Sequence, residues 1–255
     1  MRIRILGCSG GIGAGSRTSA MLVDDDVLID AGTGIGDLEL EEIDSIRHVF
    51  LTHAHLDHIA GLPMLADSVF DENFTTPLTV YAREETLRAL QDHVFNGVIW
   101  PDFARLPTAG NPMLRYQVCS PGDTVTINHR DFYAVDVMHT VPTLGYTVQN
   151  SGGVFAVSGD TKTNETLWPV LNACDDLRVL VIEVSFPDEM ERLANEAGHY
   201  CPSTLAKDLK RLRHEPEIWL TGMKPGEEGR IMEQVSKAIP GKNIKMLSAG
   251  TILTV

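Results

Sequence analysis

The chain is short of cysteine, of basic residues and of long apolar runs, and each shortage excludes a class of function. Its four cysteines, Cys8, Cys119, Cys174 and Cys201, are scattered and form no C-x-x-C pair. That usage fits reduced thiols in a cytosol and not a disulfide framework. No apolar run approaches the ~20 residues that cross a bilayer. A strand pattern begins at once (Arg2-Ile-Arg-Ile-Leu6), leaving no room for a signal peptide, so a cytoplasmic, soluble protein is expected. Only 21 Lys and Arg stand against 35 Asp and Glu, a net charge of −14. Long phosphate backbones are gripped by clustered basic side chains, so a long nucleic acid is disfavoured as an unaided partner. A small anion is less constrained, because bound cations can supply the positive field locally. No low-complexity tract or linker divides the chain, and its 43% hydrophobic content suffices for one large domain spanning residues 1–255.

What is present is concentrated in one stretch. His48-Val-Phe-Leu-Thr-His53-Ala-His55-Leu-Asp57-His58-Ile-Ala-Gly61-Leu62 opens as a short apolar strand and continues as an apolar helix pattern from Ile59. Between the two lie three of the chain's nine histidines and one aspartate, within six positions. Neutral imidazoles and carboxylates are the donors that first-row metals prefer. His53 and His55, at i and i+2 in extended backbone, point the same way and can reach one ion. Asp57 and His58 fall past the turn, better placed for a second ion beside the first.

Upstream, Gly7-Cys-Ser-Gly-Gly-Ile-Gly13 invites a dinucleotide-binding reading, which requires a helix directly after the glycines. Thr18-Ser-Ala-Met-Leu-Val23 reads instead as a strand, turned by Asp24-Asp25-Asp26 into Val27-Leu-Ile-Asp30. A hairpin is therefore expected, with the glycine loop rimming the site. Asp30 ends an apolar strand and needs hydrogen-bond partners there. Residues 37–46 carry a weak helical pattern. Further on, Trp100, Phe103 and Arg105 lie in an aromatic segment with two prolines, which either covers the core or forms a lid that stacks on a base and holds a phosphate. Strands dominate 114–157, and helix alternates with strand thereafter. His139 and Asp160 each close an apolar strand.

The His53-Ala-His55-Leu-Asp57-His58-Ile wording resembles the metallo-β-lactamase superfamily, and within it the class II cyclic-nucleotide phosphodiesterases, with ribonuclease Z-type enzymes as close relatives. The resemblance implies an α/β fold, the four-layer αβ/βα sandwich. It implies two divalent ions, zinc first among zinc, manganese and iron. His53, His55 and His139 would hold one, Asp57 and His58 the other, and Asp160 would bridge them. It implies a buttressing role for Asp30, and for His199, in Glu196-Ala-Gly-His199-Tyr-Cys-Pro202, a place facing the scissile phosphate. Asp57 and His199 are thus the expected catalytic groups. The implied reaction is hydrolysis of a 3′,5′-cyclic nucleotide by metal-activated water; a homodimer is compatible with it. The chain departs from the family where Thr221-Gly222-Met223-Lys224-Pro225-Gly226 carries Gly222 in place of a ligand histidine, which implies a weakened second site. A ribonuclease Z-like enzyme, another small-ester metallo-hydrolase and a catalytically silent nucleotide sensor remain as alternatives.

Overall fold

The computed structural model describes residues 1–70 and 76–255. The first sheet is built from β1 (Arg2–Gly7), β2 (Ala20–Val23), β3 (Val27–Ala31), β4 (His48–Phe50) and β5 (Leu78–Ala82). After a two-stranded ribbon of β6 (Pro107–Thr108) and β7 (Asn111–Pro112), β8 (Leu114–Val118) returns to it. The second sheet follows as β9 (Thr124–Ile127), β10 (Arg130–Val137), β11 (Thr143–Asn150), β12 (Gly153–Val157), β13 (Leu177–Glu183), β14 (Glu217–Thr221) and β15 (Ile244–Met246). The last strand, β16 (Ile252–Thr254), crosses back to pair with β1. The expected hairpin is present as antiparallel β2 and β3, and no helix follows the glycine loop.

Helices cover both outer faces. α1 (Leu40–Ile43), α2 (Leu56–Ile59), α3 (Leu62–Ser68) and α4 (Glu84–His93) belong to the first half, and α5 (Leu167–Ala173), α6 (Glu191–Ala197), α7 (Pro202–Leu209) and α8 (Glu228–Ala238) to the second. Among the described residues three large apolar cores result, with a small satellite of Phe186, Ala194 and Cys201. Leu62, Leu65, Leu87 and Leu90 pack the first sheet's outer face. Ile3, Ile5, Phe50, Phe132 and Phe155 fill the space between the sheets. Leu167, Trp168, Leu205, Ile231 and Val235 close the second sheet's outer face. Strand β3 shows why its first three residues are all apolar: Leu28 faces the helices while Val27 and Ile29 face the other sheet.

The strand entering the histidine loop is pinned from both sheets. Phe50 stacks between Tyr81 and Phe132, each at 4.4 Å, with Tyr146 edge-on at 5.5 Å. The Tyr146 hydroxyl donates to the Leu51 carbonyl at 2.8 Å, and the Leu144 N–H to the Thr52 carbonyl at 2.9 Å. The loop therefore starts from a rigid point shared by both sheets.

One local expectation is corrected and one open alternative is decided. The helical pattern of 37–46 gives a 3-10 turn at Thr33–Asp37 and only the single turn of α1, because Leu40 faces solvent and cannot anchor a longer helix. Phe103 is not a lid side chain: it is 3% exposed and packs on Phe70 and Phe95. Trp100 lies half-buried on the same core, and Arg105 is exposed beside Asp102. The aromatic segment covers the core. No helix among the described residues is long and apolar enough to cross a membrane.

Candidate active site

Five strand ends converge on one point between the sheets. Asp30 lies in β3, His53 follows β4, His139 follows β10, Asp160 follows β12, and Gly222 follows β14. In sheets with parallel strands the crevice beyond the carboxyl ends is where ligands bind.

Asp30 organises the loop. It sits at φ +59, a left-handed conformation that aspartate tolerates better than most residues. Its Oδ1 accepts from the Thr52 N–H at 2.8 Å and its Oδ2 lies 2.6 Å from His58 Nδ1. That bond leaves His58 Nε2 turned to Asp160, 3.4 Å from Oδ2. The same oxygen lies 3.9 Å from His53 Nε2 and 4.0 Å from His139 Nε2. His139 Nδ1 donates to the Gly198 carbonyl at 2.9 Å, and its Nε2 lies 3.2 Å from His55 Nδ1. A Cβ on Gly198 would stand 2.8 Å from His139 Nδ1, and the residue has φ +77, so glycine is required for this approach.

Among the described residues three donor groups emerge, each with its atoms within 4.8 Å: His53, His55 and His139; His53, His58 and Asp160; and His139, Asp160 and His199. Asp57 stands at the margin of the cluster, with Oδ2 3.9 Å from His58 Nε2 and a side chain 36% exposed. Every site residue expected from the sequence is thus near one centre, Asp57 less tightly than the rest. Glu183 is a further site residue, to which the sequence alone assigns no role. It is fully buried at the end of β13, and His199 Nδ1 donates to it at 2.9 Å. A carboxylate closing the run Val179-Leu-Val-Ile is the signal that it must have a charged or polar partner. Thr52 was also missed; its hydroxyl reaches Asp30, His53 and His58.

The electrostatics divide the cluster. Burial, reinforced by nearby imidazoles, holds His53 well below the usual histidine range, and burial likewise lowers His55 and His139. Each shift favours the neutral imidazole, the form a metal ligand requires. Burial alone would push His58 down too, but the Asp30 and Asp160 carboxylates override it and raise it well above. Asp160, despite burial that favours its neutral form, is held well below the carboxylate range by His58 and His53.

A divalent ion fits the three-imidazole end. His53 Nε2 is buried and lacks any hydrogen-bond partner, a costly state for a polar nitrogen unless something coordinates it. The donors are the neutral nitrogens that first-row ions prefer.

This sandwich, with a histidine–aspartate cluster at its strand ends, has the metallo-β-lactamase fold. The chain belongs to the β-lactamase superfamily, whose domain model matches residues 26–221. Among curated proteins it is 29% identical over 190 residues to a probable 3′,5′-cyclic-nucleotide phosphodiesterase of Yersinia pestis, a match covering 66% of this chain and 51% of that protein. It is 33% identical over 103 residues to ribonuclease Z of Methanococcus maripaludis, covering 40% of this chain and 31% of that protein. The match therefore spans about half of the first relative and less of the second. Among solved structures, unliganded yeast PDE1 aligns over 100% of this chain and 99% of its own with a TM-score of 0.83 at 19% identity, a likeness of fold.

Proposed function

We propose that the chain is a single-domain, metal-dependent phosphodiesterase, residues 1–255, that hydrolyses 3′,5′-cyclic nucleotides to nucleoside monophosphates. The observation that carries this reading is the gathering of His53, His58 and His139 nitrogens around one Asp160 oxygen, within 3.4–4.0 Å, next to a histidine backed by a buried carboxylate. The relationship to the Yersinia pestis protein supports the substrate class. So does the charge of −14, which disfavours long polyanions.

His53, His55 and His139 would hold one divalent ion, with His58, Asp57 and Asp160 the donors nearest a second. When bound, such ions stabilise negative charge on a phosphoryl group and make water more acidic. The chain's own groups supply orientation and proton handling. Asp30 and the Gly198 carbonyl each take one nitrogen of a ring, fixing the other toward the centre. Asp57, at the open margin, is placed to accept a hydrogen bond from attacking water. Glu183, aided by Asp160, overcomes the burial that would otherwise lower His199, so this imidazole is raised above its usual range, which favours the protonated form. With Nδ1 engaged, Nε2 is the atom left to donate to a phosphoryl or leaving oxygen.

The test is turnover of a cyclic-nucleotide panel by purified protein supplied with Mn²⁺ or Zn²⁺, beside a pre-tRNA at moderate salt. Release of nucleoside monophosphates is expected. Efficient 3′ processing of the pre-tRNA would move the assignment to the ribonuclease Z branch, and tight nucleotide binding without turnover would make the chain a sensor.

A further inference from the structure

The cluster does not offer two equivalent cation positions. At one end three neutral imidazoles from two separate segments turn their donor atoms together, and the buried His53 Nε2 has no other partner. At the other end the close donors are His58 Nε2 and Asp160 Oδ2, with Asp57 further out and His199, which also groups with Asp160, engaged through Nδ1 by Glu183. Next to them is a cavity of about 20 Å³ whose far side is formed by Ser9, Gly222 and Lys224. A single water needs roughly 10–15 Å³ measured this way, so the space suits one ion or one water.

That far side offers one neutral oxygen, the unpartnered Ser9 Oγ, and no imidazole or carboxylate. Gly222 has no side chain, its N–H donates to the Cys8 carbonyl at 2.8 Å, and its own carbonyl already accepts from Ser185 Oγ at 2.9 Å. Yet room for a side chain exists: a Cβ at Gly222 would make ordinary contacts, 3.5 Å from Glu183 Cβ and Ser185 Oγ. On this side the Lys224 ammonium, which donates to the Gly10 carbonyl at 2.8 Å, opposes a second cation. One end fits a metal ion fully and the other only in part.

We infer that the centre is graded. The three-histidine position retains one divalent ion, while the position beside His58, Asp57 and Asp160 takes a second only weakly and exchangeably. Two of its three side-chain donors are carboxylates, which suit hard ions such as Mn²⁺ or Mg²⁺. The inference rests on the reading that the cluster binds metal, and it is independent of the substrate. Loss of a supporting partner alone costs about 10–100-fold in metal affinity, so an absent ligand places the second position about 100-fold or more below the first.

The test is metal binding, read without activity. Full-length protein is stripped with chelator, reloaded with Zn²⁺, passed through a desalting column and assayed for zinc; Mn²⁺ is then titrated into it and followed by electron paramagnetic resonance. One retained zinc per chain is expected, with Mn²⁺ binding at least about 100-fold more weakly and leaving that zinc in place. Gly222→His should bring retention to two ions. Gly222→Ala, which imposes the same backbone demand at φ +76 without an imidazole, should retain one. Two equally tight zinc ions in the unaltered protein, displacement of the zinc by Mn²⁺, or equal gain from alanine and histidine would overturn the inference. So would a Gly222→His protein that folds, by circular dichroism, and still retains one ion. Graded binding in a protein that hydrolyses no cyclic nucleotide supports the grading and fails the activity reading, so the two failures are distinct.

Discussion

His199 Nδ1 donates to Glu183 Oε1 at 2.9 Å, and the same oxygen accepts from the Thr161 N–H at 2.9 Å, while Ser185 Oγ reaches Oε2 at 3.2 Å. A fully buried carboxylate is tolerated because each oxygen has a partner. The arrangement fixes the ring of His199 from behind and keeps its other nitrogen toward the cluster.

Glu183→Gln preserves shape and removes the charge. If His199 donates a proton in the reaction, kcat should fall about 10–100-fold while KM changes little, less than the roughly 10²–10⁴-fold that general acid catalysis supplies, because the imidazole itself remains. Because Glu183 is what raises His199 against its burial, the alkaline limb of the pH–kcat profile should move to lower pH. A purely structural role would lower the melting temperature and leave that limb in place.

His55→Ala removes one imidazole from the three-histidine group on a loop whose anchor, Phe50 between Tyr81 and Phe132, is untouched. The protein should fold, lose its retained metal and lose activity. Full activity in a metal-free His55→Ala protein would end the metal-dependent mechanism.

Asp30→Asn isolates charge from backbone, since asparagine also tolerates the left-handed φ of +59. Both partners of the Asp30–His58 pair are at most 5% exposed. Breaking such a buried pair costs about 3–5 kcal/mol. Urea unfolding of the chelator-treated protein measures it, and a cost below about 1 kcal/mol, the size of one ordinary hydrogen bond, would show that His58 is held by something else.

Burial pushes the thiols of Cys8 and Cys119 up to about 11. The thiolate is the reactive form, so at pH 8 roughly a thousandth of each is available. Alkylation by iodoacetamide, followed residue by residue by mass spectrometry, should be slow at neutral pH and accelerate as the pH approaches 11. Rapid labelling of Cys8 at pH 7.5 would mean that the glycine loop opens in solution.

Much of this protein is written in short-range pattern. The i, i+2 spacing of His53 and His55 after an apolar strand, the Asp24-Asp25-Asp26 turn between β2 and β3, and apolar runs ending at His139 and Asp160 are local features, legible because neighbouring residues alone dictate backbone direction. The α/β sandwich followed from them together with the resemblance in the histidine loop. What only the tertiary structure decided depends on contacts between distant segments. His55 meets His139 across 84 positions, and Gly198 must lack a Cβ for His139 to sit as it does. Phe103, which sequence alone left between lid and core, is drawn inward because Phe70 and Phe95 offer an apolar surface that only folding assembles. The same holds for Gly222. Its identity was plain in the chain, but the small cavity beside it, the spent hydrogen bonds of its backbone and the Lys224 ammonium come from distant segments brought to one crevice. Sequence spacing determines which donors exist; the packing of two sheets decides which of them share an ion.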